Sequence, residues 1–437
     1  MDKRIEGFSK LTKAEKIDWI TQAHFKNPTT AESQLSDYWN SDSDLQNKHD
    51  EFIENTLTNF YMPLGVAPNF LINGESYTLP MVIEESSVVA AAGNAAKFWQ
   101  TRGGFKAEIL DTIKVGQIHF SYSGDVQLLH SFFNKNKTQL LESTAPLSKN
   151  MKARGGGIQS MELVDKSNLI PDYFQLHLRF KTADAMGANY INSCLECIAT
   201  ELEKLAQNEF KANDGVQLEV VMSILSNYVP ECLVRASVKC PVSKLSPSKD
   251  WPGETFAKKM VQAVEIAKRE PYRAVTHNKG IMNGVDALVV ATGNDFRAIE
   301  AGVHAYASKD GHYTSLSNAY IKEEVFYMEL TLPLALGTVG GLTKLHPMVQ
   351  WSMELLGNPD AKTLMKIVAA AGLAQNFAAL RSLVTSGIQK GHMKMHLLNI
   401  LNQMGATQIQ KEKAITHFKN HTVSVKAVGQ FLQNNNS

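Results

Sequence analysis

The chain has 437 residues, 44% hydrophobic and 20% charged, an ordinary balance for a globular protein of about two or three domains. Lys and Arg number 44 against 43 Asp and Glu, a net charge of +1. So even a balance gives no support for a broad nucleic-acid-binding or membrane-surface role. The N-terminus MDKRIEGFSKLTKAEK lacks the apolar core of a signal peptide, and no apolar run is expected to reach the roughly 18 residues that cross a bilayer. Four cysteines, Cys194, Cys197, Cys232 and Cys240, are too few for a disulfide framework and fit a reducing cytoplasm.

Residues 1–111 read as an N-terminal helical stretch followed by a hairpin, Leu71 to Leu79, turning at Asn73-Gly74. Ser86 or Ser87 then caps an alanine-rich helix that stops at Gly103-Gly104. From 112 to 232 the rhythm changes. Thr112–Tyr122 alternates as a strand bulged at Gly116, and Asp125 caps a helix whose apolar side carries Val126, Leu129, Phe132, Phe133 and Leu140. Strands follow at Gly157–Val164 and Phe174–Phe180. A helix starts near Asp184 with Ile191, Leu195, Ile198, Leu202 and Leu205 at helical spacing, and Val216–Leu225 closes the series as a strand. Strand-helix-strand-strand-helix-strand is the ferredoxin-like order. The expected fold is therefore α+β: a large mixed helical domain (1–111 and 233–386), an inserted ferredoxin-like domain (112–232), and a small C-terminal helical flap (387–437).

No G-x-G-x-x-G fingerprint follows a strand and no Walker A sequence occurs. Glycines cluster in Arg154-Gly155-Gly156-Gly157 and Asp184-Ala185-Met186-Gly187-Ala188-Asn189, where small residues and the start of a helix allow close approach to a phosphate or amide. Taken alone, each reads more readily as a tight turn or a capped helix.

The densest chemistry lies in Thr276-His277-Asn278-Lys279-Gly280-Ile281-Met282-Asn283-Gly284 and Ala291-Thr292-Gly293-Asn294-Asp295-Phe296-Arg297-Ala298. Both read as polar turns flanking an apolar run, Ala287–Ala291, that is a buried strand or a core helix turn. Together with Glu84-Glu85-Ser86-Ser87, the two glycine clusters, Ile224-Leu225-Ser226-Asn227, Gly372-Leu373-Ala374-Gln375-Asn376 and Gly387-Ile388-Gln389-Lys390-Gly391-His392-Met393, these blocks resemble, in order, the class II 3-hydroxy-3-methylglutaryl-CoA (HMG-CoA) reductases.

The resemblance implies two hydride transfers from a nicotinamide cofactor to a thioester, giving mevalonate and CoA. Lys279 then matches the cation that stabilises the oxyanion. Asp295 matches the aspartate that holds the lysine network. Glu85 matches the proton-donating glutamate, whose pKa burial would raise. His392 matches the histidine that protonates the departing thiolate. Arg273 matches the partner of the substrate's terminal carboxylate. Ser87, Asn227, Gln375 and Asn376 are expected along the substrate, the last two opening a helix. Gly156, Gly157, Ser160, Asp184, Met186, Gly187 and Asn189 are expected at the cofactor, and Glu54-Asn55 resembles a short motif at a dimer interface. The family's site lies between subunits, so a cytoplasmic homodimer or larger assembly is implied, with no membrane or nucleic acid partner. The tail would close over the thioester.

Each residue also has a plainer reading. Glu85 could be a helix N-terminal carboxylate, Lys279 and Asp295 a structural ion pair, His277 a structural histidine, and Cys194 and Cys197 core residues. His392 and His396 have metal-like spacing but no third ligand, so no metal is expected. Ser86 stands where the family has proline, and Phe296 where tryptophan is common. Ser160 stands where NADH-specific relatives carry an aspartate that repels a 2′-phosphate, so NADPH is expected, with NADH possible. The competing readings are the same fold oxidising mevalonate with NAD, and a CoA-thioester-binding protein without redox chemistry.

Overall fold

The chain divides into two units, Met1–Pro63 and Leu64–Ser437. The computed structural model describes residues 3–210, 216–385, 387, 397–418 and 421–435. In the first unit, helices α1 (Lys13–His24), α2 (Pro28–Ser36) and α3 (Ser43–Asp50) each start at a side-chain cap, from Thr12, Asn27 and Asp42. Lys13 Nζ lies 2.7 Å from Asp50 Oδ2 and ties α1 to the end of α3. Glu54 and Asn55 follow, Asn55 in the left-handed conformation.

The second unit opens with the expected hairpin. Strands β1 (Leu64–Ile72) and β2 (Glu75–Val82) pair antiparallel across Asn73 and Gly74, both at positive φ as this tight turn demands. Helix α4 (Val88–Gln100) buries Ala92, Ala95, Ala96 and Trp99 and ends where Gly104 N–H donates to Trp99 O. Its N-terminus departs from expectation. Ser87 occupies the cap position at φ 79°, and its side chain makes no capping hydrogen bond.

After β3 (Lys106–Ile109) come β4 (Lys114–Tyr122), α5 (Val126–Glu142), α6 (Ala145–Ala153), β5 (Gly157–Asp165), β6 (Tyr173–Lys181), α7 (Ala188–Phe210) and β7 (Leu218–Ser226). The antiparallel sheet order is β5-β6-β4-β7, which is the ferredoxin-like arrangement with α6 added. Phe174, Leu176, Leu178 and Phe180 are at most 2% exposed, and they join Ile191, Leu195, Ile198 and Leu202 in one core. Two local expectations fail. The bulge in β4 lies between His119 and Phe120 rather than at Gly116. Gly116 stands in regular register, and a Cβ there would come 2.6 Å from Leu195 Cδ1, so the glycine lets α7 lie against the sheet. Helix α7 begins at Ala188, not near Asp184, because Ala183 and Gly187 both have positive φ and hold the intervening residues in a turn.

The remaining elements are β8 (Leu233–Pro241), α8 (Gly253–Arg269), α9 (Pro271–Ala291), α10 (Phe296–Tyr306), β9 (Ser317–Lys322), β10 (Val325–Pro333), α11 (Pro347–Leu355) and α12 (Ala361–Val384). A second antiparallel sheet runs β3-β8-β10-β9. The expected polar turn at 276–284 is in fact the middle of α9, and Ala287–Ala291 is its last buried turn. Ile281, Val285 and Leu288 keep helical spacing on the buried side, while Thr276, Lys279 and Asn283 share the other. Helix α12 corrects another reading. By length and composition it is apolar enough to cross a membrane, and 72% of its most apolar window is buried inside the protein. It packs against α4, α8 and α9. Gly284 permits the α9 crossing, since a Cβ there would stand 2.6 Å from Ala371 O. Helices α13 (397–403), α14 (Gln408–His417) and α15 (Val425–Asn434) gather Leu397, Leu401, Ala414, Phe418, Val428 and Leu432 into a small core of their own.

Candidate active site

Glu85 sits in the turn between β2 and α4, and α9 presents Lys279 to it. The Lys279 ammonium donates to Glu85 Oε2 at 2.6 Å, and Asn283, one turn further along α9, reaches the same oxygen at 3.5 Å. The side chains of Lys279 and Glu85 are 59% and 37% exposed, so in the single chain the glutamate is paired but not deeply buried. They border a cavity of about 320 Å³ also lined by Ser87, Arg273, Gln375 and Asn376. Arg273 lies in the first turn of α9, whose N-terminus Glu270 caps by accepting from Tyr272 N–H and Arg273 N–H.

The floor of this cavity is polar and buried. His277 is 2% exposed. Burial, reinforced by the Arg273 charge, lowers its pKa to about 3, so the imidazole is neutral. Its Nε2 lies 2.7 Å from Ser317 Oγ and 3.2 Å from Asn376 Nδ2. Gln375 and Asn376 do not open a helix; they stand in the interior of α12. Gln375 Oε1, Asn376 Oδ1 and His277 Nδ1 are buried without hydrogen-bond partners among the described residues. Unsatisfied polar atoms grouped at one cavity are costly in a resting core and mark where a polar ligand group fits.

Asp295 is elsewhere. It caps α10, its Oδ1 accepting from Arg297 N–H and Ala298 N–H. Ten residues of α9 separate Lys279 from Val289, a rise of about 15 Å. Asn294 N–H bonds Val289 O, which holds Asp295 at that far end. Within one chain the expected Lys279–Asp295 contact is therefore not made. Asp295 instead lines a second cavity of about 400 Å³ with Met186, Gly187, Asn189 and the 337–343 segment. Asp184 serves this wall from behind: its carbonyl accepts from Thr338 N–H, and its carboxylate from Ala361 N–H at the start of α12. Asn227 faces a neighbouring small cavity with Met186 and Ala298, and its backbone carbonyl would be 2.5 Å from a Cβ at Gly302 of α10.

Gly156, Gly157 and Ser160 lie at the start of β5 and border neither cavity. A Cβ at Gly156 would press on Lys181 O at 2.6 Å, so this glycine permits close packing of α6 and β6. Ser160 follows a register shift, and its Oγ is buried with no partner among the described residues. His392 and His396 lie outside the described residues. All four cysteines are free thiols, three of them buried, with Cys197 Sγ donating to Ser143 O. Sequence reasoning missed Asn283 as a partner of Glu85. The signal was its i+4 spacing from Lys279, visible only once 276–284 is read as helix.

The family model described as hydroxymethylglutaryl-coenzyme A reductase matches residues 13–397. A 3-hydroxy-3-methylglutaryl-coenzyme A reductase of Archaeoglobus fulgidus is 34% identical over 415 residues, 95% of this chain and 90% of that one. Two structures of the Streptococcus pneumoniae enzyme superpose. One is titled a class II reductase bound to NADPH in open conformations (TM-score 0.71, 38% identity, 87% of this chain and 99% of that one), the other a 3-hydroxy-3-methylglutaryl-coenzyme A reductase (TM-score 0.72, 36% identity, 98% and 99%). The chain is an α+β oxidoreductase. It belongs to the hydroxymethylglutaryl-coenzyme A reductase family.

Proposed function

We propose that the protein reduces HMG-CoA to mevalonate and CoA, using two equivalents of NADPH. The observation that carries this reading is the 2.6 Å Lys279–Glu85 pair at a cavity whose buried polar atoms lack partners. Lys279 places a cation where negative charge grows on the thioester oxygen. Glu85, sharing its proton network with Lys279 and Asn283, is set to supply a proton to the same oxygen. Arg273, Ser87, Gln375 and Asn376 orient the acyl group. His392 protonates the thiolate leaving group, and the flap from 387 onward excludes water.

The Ala185–Asn189 turn and the 337–343 segment suit the cofactor. Gly187 is left-handed at φ 98°, and glycine at 337 lets that segment lie where a Cβ would be 2.4 Å from Met186 N, leaving backbone groups to face a ligand. NADPH bound there supplies the hydrides. Residues 112–232 act as the cofactor domain, with 1–111 and 233–386 as the large domain. Ser160 borders neither cavity of the single chain, and it is the resemblance that puts it near the ribose, where, unlike an aspartate, it brings no charge to repel a 2′-phosphate.

The working enzyme is a cytoplasmic homodimer or a higher assembly of dimers. Its support is the separation of Lys279 from Asp295: a second copy brings the Asp295 cavity of one chain against the Glu85–Lys279 cavity of its partner. The assay is HMG-CoA-dependent loss of NADPH absorbance at 340 nm. Lys279→Ala is expected to lower kcat by about 10²–10³-fold. Mixing inactive Lys279→Ala and Asp295→Asn chains under exchange conditions should restore about a quarter of wild-type activity, since half the dimers carry one intact shared site. Activity that survives in Lys279→Ala refutes the catalytic reading, and no recovery on mixing refutes the shared site.

A further inference from the structure

Lys114, the first residue of β4, is 5% exposed, a rare place for a lysine. Its ammonium donates to Thr182 Oγ1 at 2.5 Å and to Ala185 O at 2.7 Å. Thr182 Oγ1 in turn donates to Ala185 O at 2.7 Å, so lysine, hydroxyl and carbonyl form a closed triangle. The triangle fixes the turn that runs from Thr182 through Gly187. Gly187 itself is seated on Thr182, where a Cβ would lie 2.5 Å from Thr182 Cγ2. Both acceptors are neutral, and burial pushes the lysine pKa below its ordinary value, with only the more distant Asp184 carboxylate and Cys232 opposing this. A buried cation held by neutral acceptors is unfavourable in the empty protein. An anion arriving at the turn it holds would offset that cost.

We propose that Lys114 is a positioning residue of the dinucleotide site, holding the Thr182–Gly187 turn and placing a buried positive charge behind it for the anionic part of the cofactor. This rests on the reading that the turn receives NADPH. Lys114 lines the small cavity it shares with Met186 and Asn227 and touches neither the Glu85–Lys279 cavity nor the Asp295 cap, so its effect is expected on cofactor binding rather than on the chemical step.

The test is NADPH titration by fluorescence without HMG-CoA, followed by steady-state kinetics, on wild type, Lys114→Met and Thr182→Val. Losing charge-assisted hydrogen bonds should raise the NADPH Kd and KM about tenfold or more in Lys114→Met. The KM for HMG-CoA and kcat at saturating NADPH should stay within about threefold of wild type. If Lys114→Met does not fold, Thr182→Val, which keeps the charge but opens the triangle, should show a smaller shift in the same direction. An NADPH Kd unchanged in both variants while wild type binds NADPH overturns the inference alone. So does a fall in kcat with both KM values rising together, which is the mark of general disruption. Failure of wild type to bind NADPH at all overturns the cofactor reading and this inference with it.

Discussion

The crossing of α9 over α12 sets where Lys279 stands, and Gly284→Ala tests it. The added Cβ would lie 2.6 Å from Ala371 O and 2.9 Å from Gln375 Cβ, against the 3.4 Å at which ordinary contact begins. The nearer obstacle is backbone, so a side-chain rotation cannot relieve it. The helices must part by roughly 0.8 Å across a seam that buries Ile281, Val285 and Leu288, and such a gap forfeits a quarter to a half of each dispersion contact. Overpacking of this kind costs about 3 kcal/mol, and helix propensity returns about 1 kcal/mol, leaving a net loss of about 2 kcal/mol. Gly280→Ala is the internal control. It lies one turn earlier on the same helix, and its Cβ would meet only Ala379 Cβ at 4.0 Å, so propensity alone should act. Urea unfolding followed through buried Trp99 reads both variants. The midpoint should fall for Gly284→Ala and hold or rise for Gly280→Ala. Equal midpoints for the two would refute the reasoning.

Asp286 of α9 lies against Glu300 of α10; burial, then Glu300, raises its pKa to about 9. A raised carboxyl pKa gives stability that is whole below its unfolded value near 3.8 and is lost as pH rises through about 9. Asp286→Asn removes that loss, so between pH 5.5 and 8.5 the urea midpoint of the variant should fall less than that of wild type; parallel curves would contradict the burial argument. Glu300 runs the other way. His304, bonded at 2.7 Å, holds its pKa down to about 2, so its contribution stands at neutral pH and fails only in strong acid, and Glu300→Gln should lower the midpoint at pH 7. Ser160→Asp should shift the ratio of kcat/KM for NADPH over NADH towards NADH by about tenfold or more, through repulsion of the 2′-phosphate. An unchanged ratio would remove Ser160 from the cofactor site.

The ferredoxin-like insert was legible because its strands alternate cleanly: Phe174, Leu176, Leu178 and Phe180 all point inward. The Asn73-Gly74 hairpin was legible because few other sequences adopt two successive positive φ values. Helix α9 was not, because Asn278, Gly280, Asn283 and Gly284 imitate turn chemistry. Gly280 and Asn283 instead line the cavity, Gly284 permits the close helix crossing, and buried Asn278 bonds Thr314 O and Leu316 N–H, tertiary demands that local propensity does not register. The candidate residues themselves came from ordered blocks of resemblance. What no single sequence could supply was their distribution over two cavities of one chain, since that depends on the length and direction of α9.

Helix α12 has a consequence for synthesis. During synthesis α4, α8 and α9 emerge before it, and in the interval between its own emergence and its docking on them Ala361–Val384 offers an apolar segment of membrane-spanning length. Gln375 and Asn376 sit in its interior, and each amide would cost several kcal/mol in hydrocarbon. The pair proposed to greet the substrate therefore also weights the helix against entering a bilayer. Replacing both with leucine would create a segment that an insertion machinery could accept, so the polar centre acts on where the chain goes as well as on what it binds.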